Sequence, residues 1–330
     1  MNFNRGDVTF SGHRVGSFRD ALLFHEPWWL SAASGGKYTE VTVERGGKLV
    51  GRFPFLSSFK MGFRRLVMPP FTHVLGPIID VGGGKPDAQL RQCISIIHHL
   101  VKQLPPFDFF RQACPWSITS ILAFQECGFE VRPQCNFQLD CRESLSSIWD
   151  RLNFKTRGHI RRAQTSHVVA SVDNPHIFMS FYIENMKKAN RSDRMMFDPF
   201  PAVFSECRSR DCGEILAAYG PDGMPAAMVY LVWGSGIMYY LLSARNPDTG
   251  STGAVNLLLW SAIERAHERG LIFDFDGLIN SGQMRFLLGF GGQLSTRLIV
   301  TRSRPLYRLA ECANDKLFHR HSQGNAKFYQ

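Results

Sequence analysis

Between residues 253 and 278 the chain reads GAVNLLLWSAIERAHERGLIFDFDGL, and the period of its apolar positions changes partway through. Val255, Leu258, Leu259, Ala262, Ile263 and Ala266 recur at helical spacing, and Gly270 follows as a left-handed stop. The residues after it alternate. Leu271, Phe273 and Phe275 point one way along a strand, while Ile272, Asp274 and Asp276 point the other. The two carboxylates therefore share a face, roughly 7 Å apart at the rise of a strand. They stand at the strand's C-terminal end, just before Gly277, which is where ligands bind in open α/β sheets.

The same reading extends over the second half. A short strand at 167–172 precedes helices at 175–189 and 201–208. Strands at 214–219, 226–233 and 236–244 are separated by GPDG and GSG, short glycine-rich turns that suit an antiparallel meander. After the strand with the two aspartates come a helix at 281–288 and a strand at 293–301. The first half repeats this plan. It predicts a helix over 17–33, a hairpin in TEVTVERGGKLVGRFPFL closed by Gly46 and Gly47, and a third strand within 65–79. A helix over 87–103, the strand PFDFFRQA, the helix ITSILAFQEC and the strand FEVRPQCNFQLD complete it. Helix, FDFF, helix, GF, strand in one half answers helix, FDFD, helix, FGG, strand in the other, so the chain is two α/β units of similar topology.

Composition narrows the class without choosing a function. The chain has 330 residues, 44% hydrophobic and 20% charged, as in folded globular proteins rather than disordered ones. No run of eighteen apolar residues predicts a membrane span, and the first residues lack the apolar core of a secretory signal, so the expected location is cytoplasmic. The eight cysteines are scattered without metal-ligand spacing; reduced thiols and no metal are expected. The net charge of +10 favours anionic partners: phosphates, nucleic acid or an anionic membrane surface.

Strand, two helices, three antiparallel strands, helix, strand, helix, strand is the order of the GNAT acyltransferase fold. The chain resembles the FemABX-type and BioF2-like double-GNAT proteins of bacteria. The resemblance rests on PPFTHVLGP at 69–77, Gln112 with Pro115, KTRGHIRRA at 155–163, and FDFDG followed by FLLGFGG. It implies a mixed α/β fold with an N-terminal GNAT-like domain over 1–141, a C-terminal one over 142–305 and a helical tail over 306–330. It also implies acyl transfer from acyl-CoA to an amino group, on a cell-envelope or polysaccharide precursor, without metal or covalent intermediate. In that fold the donor lies between the fourth and fifth strands, with its phosphates at the start of the intervening helix. Here that start is the glycine-rich turn with Gly250, Gly253 and Ala254, where backbone N–H groups and the helix dipole favour an anion.

Asp276, then Asp274, are the candidates for substrate contact or proton transfer. Burial between Phe273 and Phe275 is expected to raise the Asp276 pKa toward that of a general base. Tyr239 is the candidate proton donor to a leaving group. In SLSSIWDRLNFKTRGHIRRAQ, read as one helix, Ile148, Trp149, Leu152, Ile160 and Ala163 form an apolar arc edged by cations. Lys155, Arg157 and Arg161 are the phosphate-binding candidates. Two other readings stay open: an aminoacyl-tRNA donor, and a silent basic scaffold binding nucleic acid or anionic lipid, peripherally at a membrane. Family members that use aminoacyl-tRNA carry a Lys or Arg within the phrase FLLGFGG, where this chain has Leu287 and Leu288. That departure favours acyl-CoA.

Overall fold

The computed structural model describes residues 18, 21–115, 121–188, 197–249, 253–277 and 281–319. The first half contains α1 (Pro27–Ser34), β1 (Tyr38–Arg45), β2 (Lys48–Lys60), β3 (Phe63–Val67), β4 (Ile78–Ile79), α2 (Pro86–Gln103), β5 (Phe109–Cys114), α3 (Ile121–Glu126) and β6 (Glu130–Asp140). The second contains α4 (Leu145–Arg151), α5 (Phe154–Gln164), β7 (Val168–Ser171), α6 (Pro175–Lys188), α7 (Phe200–Ser209), β8 (Gly213–Tyr219), β9 (Pro225–Gly234) and β10 (Ile237–Arg245). It continues with α8 (Ala254–Glu268), β11 (Ile272–Gly277), α9 (Ser281–Leu288), β12 (Gln293–Ser303) and α10 (Pro305–His319). Gly270 has φ +64, as its role in stopping α8 requires.

Two predicted helices differ. Where one helix is expected over 17–33, the described part forms a tight turn over Leu23–His25 and then α1, which starts with Pro27 at its first position. The segment 144–164 is two helices, not one. Leu152 and Asn153 leave the helical conformation, and the Asn153 side chain caps α5 by accepting the Thr156 N–H at 2.7 Å.

Among the described residues, twelve strands form one mixed sheet in the order β1-β2-β3-β5-β12-β6-β11-β10-β9-β8-β7, with β4 beside β2. Its centre is an exchange. The last strand of each half pairs antiparallel with the penultimate strand of the other: β12 with β5, and β6 with β11. β6 and β12 also pair with each other, so the two halves share one continuous hydrogen-bonded sheet. Each half has one parallel pair, β3·β5 and β10·β11, and both pairs are short.

Three buried apolar clusters fix the layers. On one face of the second half, residues of α4, α5 and α8 such as Ile148, Ile160 and Leu258 pack on Phe273 and Phe275. On the other face, α1, α6 and α7 enclose Trp29, Phe178, Phe200, Tyr230 and Tyr239. In the first half, α2 and α3 cover Phe53, Phe110 and Val300. The Tyr307 ring of α10 stacks on Phe109, 4.8 Å between centroids. Among the described residues no helix is long and apolar enough to cross a membrane.

Candidate active site at the seam of the two halves

The parallel pairing of β10 with β11 runs Ile237↔Ile272, Met238↔Phe273, Tyr239↔Asp274 and ends there, although β10 continues to Arg245. A bulge on β10 between Tyr240 and Leu242 turns the strand at that point. The two strands therefore part just beyond Tyr239 and Asp274, and Asp276 follows two residues past the last pair.

Asp274 is 3% exposed and fully engaged. Its Oδ2 accepts from Asn136 Nδ2 at 3.0 Å and Gln138 Nε2 at 2.8 Å, both on β6. Its Oδ1 accepts the backbone N–H of Asp276 at 2.7 Å. This local bond holds Asp276 at φ +72, in the left-handed region that a non-glycine residue rarely occupies. The strict alternation expected of the strand thus fails at Asp276, yet both carboxylates still meet, at Arg297. Arg297, from β12, is 4% exposed; its Nη1 donates to Asp276 Oδ1 at 2.8 Å and to the His73 carbonyl at 3.1 Å. Its Nη2 lies 3.6 Å from Asp274 Oδ1. His73 Nδ1 stands 3.4 Å from Asp276 Oδ1.

These neighbours correct the expectation of a raised carboxyl pKa. Burial does push the Asp276 carboxyl up, but His73 and Arg297, with hydrogen bonds from Gly277 and Arg297, outweigh it and hold the group below its ordinary range. Tyr239 is 1% exposed, and its hydroxyl has no hydrogen-bond partner among the described residues. Burial, reinforced by the negative charge of Asp274, raises its pKa far enough to keep the phenol protonated. Phe24 closes this corner, with its ring 4.6 Å from Tyr239 and 5.9 Å from His73.

At the start of α8, Gly253 has φ +75, and a Cβ there would come 2.8 Å from the His159 carbonyl oxygen of α5. The glycine is needed for this close approach of two helices as well as for its backbone conformation. Ala254 is the first residue of α8, and Gly250 lies outside the described residues. Among the described residues the three basic candidates of α5 have no common partner. Arg157 Nη1 donates to the carbonyls of Asp150 and Trp149 at 3.2 and 3.5 Å, closing the end of α4. The Arg161 guanidinium lies over the Trp149 ring at 5.5 Å, and Lys155 is exposed. The glycines of FLLGFGG also serve packing: Cβ atoms at 289, 291 and 292 would strike Thr156, Arg151 and Gln138. Leu287 is buried in the core and Leu288 is 49% exposed. Among the described residues no three His, Cys, Asp or Glu side chains are grouped as a metal ion would need.

The first half has the equivalent opening, and it is filled. β3·β5 pairing ends at Val67↔Arg111, and residues 68–77 fold into the space beyond. Leu75 N–H donates to the Ala113 carbonyl at 2.7 Å; Gly76 N–H donates to Gln112 Oε1 at 2.9 Å, and Gln112 Nε2 donates to the Pro54 carbonyl at 2.8 Å. The segment that plugs this opening is the one that delivers His73 to Asp276. Sequence reasoning missed His73 and Arg297. The available signals were a lone arginine inside the apolar strand QLSTRLIVT and a histidine in the motif PPFTHVLGP.

The family model for the acetyltransferase (GNAT) domain matches residues 155–286. The structure is similar to that of FemX, with 12% identity over 89% of this chain and 95% of that chain and a TM-score of 0.66. It is also similar to L-PGS from Bacillus licheniformis, 12% identical over 85% of this chain and 89% of that one, at a TM-score of 0.55. A tandem GNAT protein from the clavulanic acid biosynthesis pathway aligns with 10% identity over 80% and 82% of the two chains, at 0.51. No curated protein matches by sequence. Residues 155–286 thus match the GNAT acetyltransferase domain model, and the chain has the tandem GNAT fold that the resemblance implied.

Proposed function

We propose that the protein is an N-acyltransferase that moves an acyl group from acyl-CoA directly to an amine, with the donor in the opening between β10 and β11. One observation carries this reading: parallel pairing ends at Tyr239↔Asp274 beside a buried cluster that contains unpartnered polar atoms, including the Tyr239 hydroxyl and Asn136 Oδ1. Acyl transfer needs a held carbonyl, a nearby neutral amine, hydrogen bonds for the developing oxyanion and a route for the proton. In this reading the protonated Tyr239 phenol donates a hydrogen bond to the carbonyl oxygen or the departing sulfur. Asp276 orients the acceptor side, while Asp274, saturated by Asn136, Gln138 and the Asp276 N–H, holds the geometry.

The phosphates of the donor meet the start of α8 at Gly253 and Ala254, with Gly250 three residues earlier in the sequence, and Lys155, Arg157 and Arg161 on the adjoining α5 supply positive charge. The units 1–141 and 142–305 with a tail from 306 belong to this reading, as does an amino group of an envelope or polysaccharide precursor as acceptor in the cytoplasm, reached at the membrane surface where the basic charge assists. Calorimetry with CoA and acetyl-CoA tests it: one equivalent should bind. Binding of aminoacyl-tRNA without CoA would transfer the mechanism to that donor. Salt-sensitive binding of nucleic acid or anionic vesicles alone would instead make the chain a scaffold.

A further inference from the structure

We infer that His73, a residue of the first half, is the proton acceptor of the acyl-transfer site in the second half, and that Asp276 is the positioning residue that orients its ring. The inference rests on the acyltransferase reading and gives the proton a specific destination. A carboxylate tied to a buried guanidinium and held below its ordinary range is a poor base at neutral pH. Imidazole is the side chain most used for proton transfer near neutrality. The Asp276 carboxylate facing Nδ1 favours the tautomer with its proton on Nδ1, which leaves the Nε2 lone pair free to accept. The separation of 3.4 Å is long for a hydrogen bond, as catalytic contacts often are before substrate tightens them.

The backbone around His73 is built for placement. Phe71, with φ +62, is 5% exposed and packs edge-on against Phe197 and Phe200, at 6.0 and 5.7 Å. Thr72 Oγ1 accepts the Trp29 indole N–H at 3.1 Å, and the His73 carbonyl accepts from Arg297. A left-handed non-glycine residue persists where surrounding contacts over-determine it, and such positions cluster at functional sites. Three successive residues are thus pinned by α7, α1 and β12, while the His73 side chain keeps 14% exposure. The charged and titratable groups around it are Asp274 and Asp276 on β11, Arg297 on β12, Tyr239 on β10, and His25 with Arg52 behind the segment.

In the transfer step, the neutral amine nitrogen attacks the thioester carbonyl carbon and forms the C–N bond, and its N–H proton passes to His73 Nε2. Collapse of the tetrahedral oxyanion breaks the C–S bond, and the electron pair leaves on sulfur. The thiolate takes the proton back from the His73 imidazolium, which gives amide, free thiol and neutral His73.

Thiol release from short- and long-chain acyl-CoA, with ethanolamine, glucosamine and lysine methyl ester as acceptors, tests the assignment across pH in the full-length protein. His73→Gln should lower turnover by about a hundredfold to ten-thousandfold with donor affinity unchanged, and the acid limb of the pH profile should vanish. His73→Gly should regain turnover with free imidazole. Asp276→Asn should lower turnover with donor affinity unchanged, and Asp276→Glu, which keeps a carboxylate facing the ring, should recover part of the loss. Melting temperatures of the variants separate loss of chemistry from loss of fold. Turnover of His73→Gln within threefold of wild type, with the acid limb in place, would overturn the assignment and leave the acyltransferase reading standing. Absence of thiol release from wild type with every donor would remove that reading, and the assignment with it.

Discussion

Arg297 on β12 lies between the two carboxylates of β11, 2.8 Å from Asp276 and 3.6 Å from Asp274. The exchange of final strands makes this possible, since it sets β12 against β6 and β6 against β11. Removing one partner of a buried ionic group strands the others, at a cost of about 3–5 kcal/mol. Arg297→Met should therefore destabilise the fold by that order in urea titration, and adding Asp274→Asn should recover part of the loss. Equal stability of Arg297→Met and wild type would show that the cluster is not coupled to folding.

His25 offers a pH test remote from chemistry. It is fully buried, and desolvation, then the Arg52 charge, lowers its pKa from 6.5 to about 4. The unfolded chain takes up a proton as pH falls below the ordinary value, while the folded chain stays neutral until near pH 4. Stability is therefore lost as pH falls through that window, by about 3 kcal/mol in all. Urea midpoints between pH 7 and 4.5 should fall less steeply in His25→Gln than in wild type.

Gly253 is a packing residue as well as a candidate ligand contact. With φ +75 and the His159 carbonyl oxygen 2.8 Å from where a Cβ would stand, Gly253→Ala should cost about 1–3 kcal/mol of stability without any ligand present. Loss of CoA binding in Gly253→Asp would then include displacement of α5. Calorimetric melting of Gly253→Ala in the absence of ligand separates the two effects.

Arg157 and Lys155 should also part company. Arg157→Gln removes the donor to the last carbonyls of α4 and should lower stability by about 1 kcal/mol. Lys155→Gln, at an exposed position, should leave stability unchanged and reduce only the salt dependence of CoA binding. Melting curves and calorimetry at two salt concentrations check both.

Local periodicity revealed most elements because each has an apolar face that must be buried. The Asp274 and Asp276 positions at the end of β11 were legible for the same reason, as were Phe273 and Phe275 on the core side. The break at Asn153 was less so: both helices keep their apolar residues on compatible arcs, and only the capping side chain marks the boundary. The strand exchange was not legible, because β6 and β12 carry patterns that suit either partner. His73 and Arg297 were missed with it. Each reaches Asp276 from a different element, His73 from a segment whose Phe71 adopts a positive φ that no sequence rule assigns to phenylalanine.

A crystal structure with a non-hydrolysable acetyl-CoA analogue tests the central claim most directly. One molecule is expected in the β10/β11 opening, with its phosphates at the start of α8 and its carbonyl carbon between Tyr239 and the His73–Asp276 pair. None is expected in the β3/β5 opening, where Gly76 and Gln112 are bonded. An analogue seated between β3 and β5, or away from both parallel pairs, would contradict the claim.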